Sequence, residues 1–376
     1  MTQSNIKWVP LSEFIEPFKK RCGDSDAKVS GVDINKQFID TRAVMDGIDV
    51  SKYYLVPPKH FACNLMHIGR DERLPIAYNS SDGNLVVTSA YYVFKVKDLK
   101  RNELLDEFLY IFFNSKEIDR LTWFYTDSSV RGNLKESRFL DILIPVPSID
   151  AQTRIVNTWK HIREVKEQNE AIAEPLFQLC QSYIQELKNN LELNAVGEYL
   201  YYSDKRNDSG DYKLEDVKGI SIDKVIIKTK ANMDNVSLKP YKLFAHNEFC
   251  YVPVTSRNGD KITIAINPTN DTYIVSSSYE VFGVRDHQKL LPEYLYMWFC
   301  RSEFDRLARF NSWGSARETY KWEDLCRFQI PLPSLEVQTA IVNIFQCAKE
   351  AKHIAEEADK LSREICPALI QKVIHE

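Results

Sequence analysis

The chain has 376 residues, of which 44% are hydrophobic and 27% charged, and its formal net charge is −4. This is the composition of a globular protein with room for two hydrophobic cores. No apolar run approaches the ~20 residues that span a bilayer, and the first residues lack the pattern of a signal peptide. Eight cysteines are scattered without a CxxC pair, which predicts reduced thiols, no structural zinc and no other metal site. We therefore expect a cytoplasmic protein that does not enter a membrane.

The first predicted domain covers residues 1–148. Short alternating or apolar runs, separated by Gly, Asn and Asp, predict strands around residues 50–56, 61–68, 74–78 and 85–96. The apolar residues of Leu104–Thr122 recur at helical spacing and predict one helix. A last apolar run, 139–146, leads into Pro145 and Pro147, which exclude a helix there.

A long helix is predicted over residues 149–195. Every seventh residue of one series, from Ile155 to Tyr183, falls on one face, and we expect the companion position to lie three residues later. We expect Pro175 to kink or interrupt this helix. The seven-residue series is Ile155, Ile162, Asn169, Leu176 and Tyr183, and the companions are Val165, Ile172 and Leu179.

The rest of the chain repeats this plan, with a second domain over residues 196–334 and a second helix over 335–376. IPVPSIDAQTRIVN (144–157) corresponds to IPLPSLEVQTAIVN (330–343), and GVDINK (31–36) corresponds to GISIDK (219–224). The offset is 188 residues between GVDINK and GISIDK, near the start of each copy, and 186 residues between the two IPxPS segments, near its end. So constant an offset indicates a tandem duplication of a whole domain with its helix, far longer than a solenoid repeat.

Two arrangements of the helices are consistent with this pattern: each packs on its own domain, or the two pair with each other in antiparallel orientation. The long, narrow apolar stripe on each helix favours pairing. The predicted fold class is therefore mixed α/β (α+β), with two tandem domains joined and separated by two long antiparallel coiled-coil helices.

The sequence contains no motif of an enzyme site. There is no glycine-rich GxGxxG or GxxxxGK[ST] loop, no GxSxG and no HExxH. Histidines do not recur at equivalent positions of the two copies. We therefore expect no catalytic residues, and a function in binding.

Polar residues that recur in loops of both copies are the best candidates for binding. Arg, Lys, Asn and Ser in loops are the residue types that reach base edges and phosphates. The alternative for any one of them is a structural ion pair or a helix cap. The candidates are Arg42, Arg70, Arg73, Ser129, Arg131 and Lys135 in the first copy, and Lys230, Arg257, Asn258, Lys261, Ser315, Arg317 and Lys321 in the second.

The aromatic clusters Phe108-Leu109-Tyr110 and Tyr294-Leu295-Tyr296 also recur in both copies. Such rings could stack on nucleic-acid bases. They lie at helical spacing inside apolar runs, however, and this pattern predicts a place in the hydrophobic core.

With its duplicated Pro-x-Pro-x-x-x-x-Gln step into a long helix and the GSAR loop at 314–317, the chain resembles the DNA-specificity subunit of type I restriction–modification systems. The resemblance extends over essentially the whole chain. It implies two target-recognition domains that each read half of a split double-stranded DNA sequence, with the helices setting the distance between the halves. It also implies partners: two methyltransferase subunits, which bind S-adenosylmethionine, and restriction subunits that attach through them.

One loop departs from this resemblance. Gly132 follows the arginine of the first copy's loop, whereas Gly314 precedes that of the second, so we expect the first loop to turn differently. Two other functions remain open on the sequence alone. One is a self-contained DNA methyltransferase, which would need a cofactor motif, and the other is a coiled-coil scaffold, which would suit the acidic net charge.

Overall fold

The computed structural model describes residues 6–23, 28–41, 48–66, 68–127, 132–255, 261–314 and 317–375. The chain divides into two compact units, Met1–Asn169 with His353–Glu376 and Glu170–Lys352. Each unit contains one mixed domain and parts of both long helices. The domain limits given above follow the sequence repeat rather than these units, and they stay a prediction.

The first unit combines short strands with short helices that precede one long helix. Its described strands are β1 Lys7–Pro10, β2 Ile15–Pro17, β3 Lys28–Val32, β4 Phe38–Asp40, β5 Tyr54–Val56, β6 Phe61–Cys63, β7 Ile76–Tyr78, β8 Leu85–Val87, β9 Tyr92–Val96 and β10 Leu143–Val146. Its described helices are α1 Ile68–Asp71, α2 Asp106–Phe113, α3 Lys116–Phe124, α4 Glu136–Leu140 and the first part of α5 Ile149–Asn190.

The strands of this unit form sheets in the orders β2-β9-β6-β7, β4-β3-β8-β5 and β1-β10. All of these pairings are antiparallel except β3 with β8, which is parallel. In the last pair, Trp8 lies opposite Pro145, so the proline step that precedes the long helix is held to the strand that opens the domain.

The second unit repeats the plan. Its described strands are β11 Leu193–Ala195, β12 Leu200–Ser203, β13 Lys218–Ile220, β14 Ile226–Lys228, β15 Lys242–Phe244, β16 Phe249–Tyr251, β17 Ile264–Ile266, β18 Tyr273–Val275, β19 Glu280–Val284 and β20 Gln329–Pro331. Its described helices, apart from the end of α5, are α6 Pro292–Phe299, α7 Ser302–Phe310, α8 Trp322–Cys326 and the first part of α9 Leu335–His375.

The sheet order β12-β19-β16-β17 matches that of the first unit, and β11 pairs with β20 as β1 does with β10. The other sheet differs. Here β13-β14 and β15-β18 are separate pairs, and a single parallel bridge between Val217 and Ile274 stands where β3 and β8 pair in the first unit.

Each unit has its own hydrophobic core, formed by the sheet β2-β9-β6-β7 or its equivalent β12-β19-β16-β17, the two short helices that follow it, and parts of both long helices. In the first, Ile155 of α5 and Ile370 of α9 join the core; in the second, Ile184 of α5 and Ile341 of α9 do so. The repeated aromatic clusters lie in these cores: Phe108 to Tyr110 and Tyr294 to Leu295 are buried, and Tyr296 is partly buried. The prediction that these clusters are core is confirmed.

The prediction of one helix over Leu104–Thr122 is wrong, because the segment forms α2 and α3. Helix α2 ends at Phe113 and is capped by Asn114, and the next residue, Ser115, caps α3 by accepting a hydrogen bond from the N–H of Ile118 at 3.3 Å. A serine at this position offers the backbone a local partner and so starts a new helix.

A buried glutamine explains the Pro-x-Pro-x-x-x-x-Gln step. Gln152 accepts a hydrogen bond from the N–H of Leu105 at 2.9 Å and donates to the carbonyls of Glu103 at 2.8 Å and Pro147 at 2.9 Å. These bonds fasten the start of α2 to the start of α5.

Gln338 makes the same bonds in the second unit, to the N–H of Leu291 at 2.9 Å and to the carbonyls of Lys289 and Pro333 at 2.8 and 3.0 Å. The repeated sequence motif is therefore a repeated structural joint between each domain and its long helix.

The long helices run antiparallel where they meet in the second unit. Phe177 packs edge-on against Phe345, with ring centroids 6.1 Å apart, and one turn later Cys180 lies beside the carbonyl of Ile341. Residue numbers rise along α5 as they fall along α9. In the first unit, Lys166 pairs with Asp359 at 2.8 Å. The prediction that Pro175 kinks or interrupts the helix is wrong as to interruption, because α5 continues through it; a kink there stays a prediction.

The predicted stripe of α5 needs a correction. Ala173 and Cys180 are buried, so the companion position lies four residues after the seven-residue series. The predicted companions Val165, Ile172 and Leu179 are exposed instead. Spacings of three and four both keep a residue near one helix face, and the packed face includes Lys166, a charged residue that an apolar pattern passes over.

Across the described part of the chain, no helix is long and apolar enough to cross a membrane.

Candidate nucleic-acid interface

The predicted contact loops of the first unit lie side by side. The first loop, 64–75, joins β6 to β7, and the second loop, 125–135, joins α3 to α4. The N–H of Leu134 donates to the carbonyl of Leu65 at 2.8 Å, and the N–H of Gly69 donates to the carbonyl of Gly132 at 3.1 Å. Backbone bonds therefore hold the two loops together.

The second unit joins the equivalent loops, 252–263 and 311–321, in the same way. The N–H of Tyr320 donates to the carbonyl of Pro253 at 2.8 Å, and the N–H of Thr255 donates to the carbonyl of Glu318 at 2.9 Å. Tyr320 and Glu318 stand at the repeat positions of Leu134 and Gly132. We call each such pair the paired loops of its unit.

A buried lysine fixes the paired loops to the helix before them. In the first unit the ammonium of Lys36 donates to Asp119 of α3 at 2.6 Å and to the carbonyl of Leu74 at 3.2 Å, and the same Asp119 oxygen accepts from the N–H of Leu74 at 3.0 Å. One ion pair thus anchors the end of the first loop against α3.

Lys224 repeats this anchor in the second unit. Its ammonium lies 2.5 Å from Asp305 of α7 and 3.4 Å from the carbonyl of Ile262, whose N–H donates to Asp305 at 3.1 Å. Lys36 and Lys224 both adopt positive φ, 64° and 63°. The local turn is therefore the same in both units, although αL is uncommon for lysine.

Burial governs the electrostatics of the anchor. Loss of solvation lowers the pKa of Lys36, and the attraction of Asp119 opposes that shift. The hydroxyl of Tyr110 donates to the backbone carbonyl of Lys36 at 2.7 Å, and Tyr296 does the same for Lys224 at 2.8 Å. Each lysine is thus held by a tyrosine of one helix and an aspartate of the next, so that the anchor has a structural role. The exposed residues of the paired loops are the ones accessible to a ligand.

The sequence candidates fall into two groups. The described ones are all exposed: Arg70, Arg73, Lys135, Lys230, Lys261, Arg317 and Lys321. The others lie outside the described residues: Arg42, Ser129, Arg131, Arg257, Asn258 and Ser315.

The described candidates of the first unit lie on its paired loops. Arg70 forms a hydrogen-bonded ion pair with Asp71 at 2.7 Å, and Arg73 directly precedes the anchored Leu74. Lys135 ends the second loop and directly precedes α4. The structure thus gathers these three basic residues on two adjacent loops.

In the second unit, Lys261 directly precedes the anchored Ile262 and lies 3.9 Å from Asp223. Arg317 and Lys321 lie on the second of its paired loops, and Lys321 directly precedes α8. Lys230 is different: it follows β14, and among the described residues no hydrogen bond or ion pair ties it to either loop. The structure groups three of the four described candidates here.

Glycines distinguish the two sets of loops. Gly132 has φ +59°, and a Cβ built on it would lie 2.3 Å from the Cα of Gly69. Gly314 has φ +148°, and a Cβ there would lie 2.1 Å from the carbonyl oxygen of Arg317 in its own loop. The two glycines therefore make room for different neighbours: Gly132 for the adjacent loop, and Gly314 for another part of its own loop. Because residues 128–131 and 315–316 lie outside the described part of the chain, the prediction that the first loop turns differently stays a prediction.

Sequence reasoning missed the anchor and an exposed ring. Lys36 and Lys224 end the repeated GVDINK and GISIDK segments, so the signal was visible as a repeated lysine. Phe124 and Phe310, the last residues of α3 and α7, are 74% and 76% exposed at equivalent positions. The recurrence of a phenylalanine at this position is visible in the sequence, but only the fold shows that both rings are exposed.

Two tandem mixed domains, each followed by one long helix and each carrying one set of paired basic loops, define a class of duplicated two-domain proteins. The family model for the type I restriction modification DNA specificity domain matches residues 75–176 and 176–358. The chain belongs to this family, which confirms the resemblance and the fold class inferred from the sequence. A search of curated proteins gave no match.

One solved structure shares the fold, and two others match nearly the whole chain at lower TM-scores. The type I restriction–modification S subunit from M. genitalium is 13% identical, with a TM-score of 0.65, and the match covers 99% of this chain and 97% of that one. The HsdS subunit from Thermoanaerobacter tengcongensis is 15% identical, with a TM-score of 0.37 over 100% and 99% of the two chains. A chain from a study of complex assembly and conformational transition of the type I R-M system is also 15% identical, with a TM-score of 0.42 over 99% and 98%.

Proposed function

We propose that this chain is a non-catalytic, sequence-specific DNA-binding subunit that reads a bipartite double-stranded target. Each unit reads one half with its paired loops. The chain directs partner adenine-methyltransferase subunits to that target, and restriction subunits attach through those partners. S-adenosylmethionine belongs to the methyltransferase partner in this scheme.

The observation that carries this proposal is the duplication of the paired loops. The same backbone bonds and the same buried Lys–Asp anchor set exposed basic residues on adjacent loops in both units. Adjacent loops that are anchored to the domain and carry exposed Arg and Lys are suited to phosphates and base edges. Two such sets on one chain suit a ligand made of two halves.

Exposed apolar residues on the long helices support a protein partner. In the second unit, Ile172, Leu179 and Tyr183 of α5 are exposed. In the first, Val165 of α5 and Leu361 of α9 are exposed as well. Uncovered side chains of this kind on a helix pair are typical of a surface that a partner helix covers.

Binding to DNA tests the proposal directly. The complex of the full chain with its methyltransferase partner should bind a duplex carrying the two-part target, with an affinity that falls steeply as salt rises. Scrambling either half of the target should weaken binding. Failure to distinguish the target from a scrambled duplex would exclude sequence-specific reading.

Arginine variants locate the contact. Arg131→Ala and Arg317→Ala should each weaken binding, by ~1–3 kcal/mol for an arginine that contacts a guanine. An arginine that touches only phosphate should instead weaken all sequences alike and reduce the salt slope by about one. Lys100→Ala and Lys289→Ala, which change exposed or partly exposed lysines outside the paired loops, are the matched controls. Unchanged affinity and salt slope in both arginine variants would show that these arginines are structural.

A calorimetric titration separates this proposal from a self-contained methyltransferase. The purified chain should neither bind S-adenosylmethionine nor methylate DNA, because the sequence has no cofactor loop in either copy. Saturable binding of S-adenosylmethionine at micromolar concentration would favour the enzyme.

A further inference from the structure

The exposed face of one helix carries the same arginine and phenylalanine in both units. On α3 these are Arg120 and Phe124, and on α7 they are Arg306 and Phe310, in each case four residues apart and exposed. An exposed glutamate also recurs three residues before each arginine, and on α3 this glutamate, Glu117, forms an ion pair with Arg120 that a phosphate would have to replace. Residues at i and i+4 lie on the same side of a helix. Each unit therefore presents an arginine and, one turn later, a phenylalanine on one surface.

The exposure of the two rings is unusual for residues of this size. Burial of a phenylalanine side chain stabilises a fold, so a ring left in water at the end of a helix gives the fold little. The buried face of α3 is formed by Ile118 and Thr122, and that of α7 includes Phe304 and Ala308. Neither ring is needed to fill the buried face of its helix, although Phe124 contacts the ring of Tyr125 at 5.8 Å between centroids.

The rings stand beside the paired loops. Phe124 and Phe310 each end their helix, and the chain enters the second loop at the next residue. That loop is closed at its base by the bond from the N–H of Asp127 to the carbonyl of Asn133 at 2.9 Å in the first unit. In the second unit, mutual bonds between Trp313 and Thr319, at 3.2 and 3.0 Å, close it.

The face around the two shared residues differs between the units. Position 116 is Lys where the second unit has Ser302, and Trp123 is replaced by Arg309. If two identical copies of a partner protein bound here, one to each unit, we would expect the two faces to be alike, and at these positions they are not. Two different DNA half-sites share a phosphate backbone and differ in bases, which matches a surface with a common Arg and Phe and changing neighbours.

We propose that Arg120 with Phe124, and Arg306 with Phe310, form a second DNA-contacting element in each unit, beside the paired loops. The arginine binds a phosphate, and the phenylalanine ring stacks on a base of its half-site. Arginine supplies charge to the backbone, and an aromatic ring supplies a surface that every base can stack on. This proposal rests on the proposed function.

Variants of the complex with the methyltransferase partner test it on a duplex that carries the two-part target. Phe124→Ala and Phe310→Ala should each weaken binding roughly 5- to 150-fold, the range for loss of one base stacked on an aromatic side chain. Phe124→Tyr should retain most of the affinity, and Phe124→Leu should not. Leu99→Ala, which removes a side chain that is 90% exposed outside the paired loops, is the control and should bind as the wild type does.

Scrambled half-sites show where each ring acts. Scrambling the first half should add little to the loss in Phe124→Ala, whereas scrambling the second half should add its full effect, and Phe310→Ala should show the reverse. Arg120→Ala and Arg306→Ala should each reduce the salt slope by about one.

Three results would overturn the inference. Affinity equal to the wild type in both phenylalanine variants, or Phe124→Leu binding as well as Phe124→Tyr, would exclude stacking. If the phenylalanine or arginine variants failed to associate with the methyltransferase partner in the absence of DNA, the face would be assigned to that protein instead. Each of these requires that the wild-type complex distinguish the target from a scrambled duplex; if it does not, the proposed function itself fails.

Discussion

The two units differ least where they are buried and most where they face solvent. The Lys36–Asp119 anchor and the Lys224–Asp305 anchor use the same atoms at nearly the same distances, 2.6 and 2.5 Å. The buried glutamine of each unit makes three equivalent hydrogen bonds. The duplicated part of this chain is thus a frame that positions loops.

Divergence lies in the sheet beside that frame and in the loops it carries. Strands β3 and β8 pair in the first unit, whereas a single bridge joins the equivalent strands of the second. Gly132 lies against Gly69 of the neighbouring loop, whereas Gly314 lies against Arg317 of its own loop, so that a Cβ on either glycine would clash. A common frame with different loops allows one architecture to read two different half-sites.

Removal of the anchor lysine should have the largest effect on stability. Lys224→Ala leaves the buried Asp305 without its cation, and Lys36→Ala does the same to the partly buried Asp119; loss of one partner of a buried ion pair destabilises proteins by about 3–5 kcal/mol. Hydrogen exchange should show faster exchange in the mutated unit, and the other unit should stay protected. Replacing both partners, as in Lys36→Met with Asp119→Leu, should lose much less. An equal loss in the single and double variants would contradict a role for the pair as an anchor.

A side chain at Gly132 should have the next largest effect. Gly132→Ala places a Cβ against the Cα of Gly69 in addition to forcing a positive φ, and we expect a loss of about 2–3 kcal/mol. Gly23 has the same φ of +59°, and a Cβ at that residue would have no atom within 4 Å, so Gly23→Ala should lose only about 1 kcal/mol. Denaturant titration of both variants makes the comparison, and equal losses would show that the loops do not need this close approach.

Loss of a buried glutamine should have a moderate effect in either unit. Gln152→Ala and Gln338→Ala leave the N–H of Leu105 or Leu291 without its acceptor, at a loss of about 1–3 kcal/mol. The isosteric Gln→Glu variants keep that acceptor and lose the two donated bonds, so they should also be destabilised. Thermal unfolding of the four variants measures this, and a neutral Ala variant in one unit only would show that the joint is not equivalent in the two.

The smallest effect should be a pH dependence confined to the first unit. Burial raises the pKa of Asp106 to about 6, with Arg101 opposing the shift, and Pro292 stands at the equivalent position of the second unit. The folded state then holds a proton that the unfolded state has released, so the free energy of unfolding falls as pH rises from about 4 to about 6. Asp106→Asn should remove this contribution. Unfolding measured at both ends of that window checks it, and an identical pH dependence in the variant would contradict it.

The sequence predicted the duplication, the long helices and the loops because each leaves a local signal. Proline motifs, apolar residues at helical spacing and polar residues that recur in both copies can each be recognised in a short stretch of sequence. The anchor could not be read in this way. Lysine is normally exposed, and the partner of Lys36 lies 83 residues further along the chain, so only the folded chain shows that this repeated lysine is buried.

Two errors have the same origin in tertiary context. Apolar spacing places the companion stripe of α5 on Val165 rather than Lys166, because the packed position holds a charged residue whose ammonium reaches Asp359. The break between α2 and α3 depends on Ser115 acting as a cap, whereas the surrounding apolar spacing alone favours a continuous helix. The exposure of Phe124 was likewise invisible, since its neighbours follow the same helical pattern as core residues.

Mapping of methylated adenines tests the central claim most directly. DNA from cells that carry this chain with its methyltransferase partner should contain one methylated motif made of two short specific sequences separated by a fixed number of unspecified bases. Changes confined to the paired loops of one unit should alter only the matching half of that motif. A contiguous motif, or a change in both halves from loops of a single unit, would contradict the account of two units that each read one half-site.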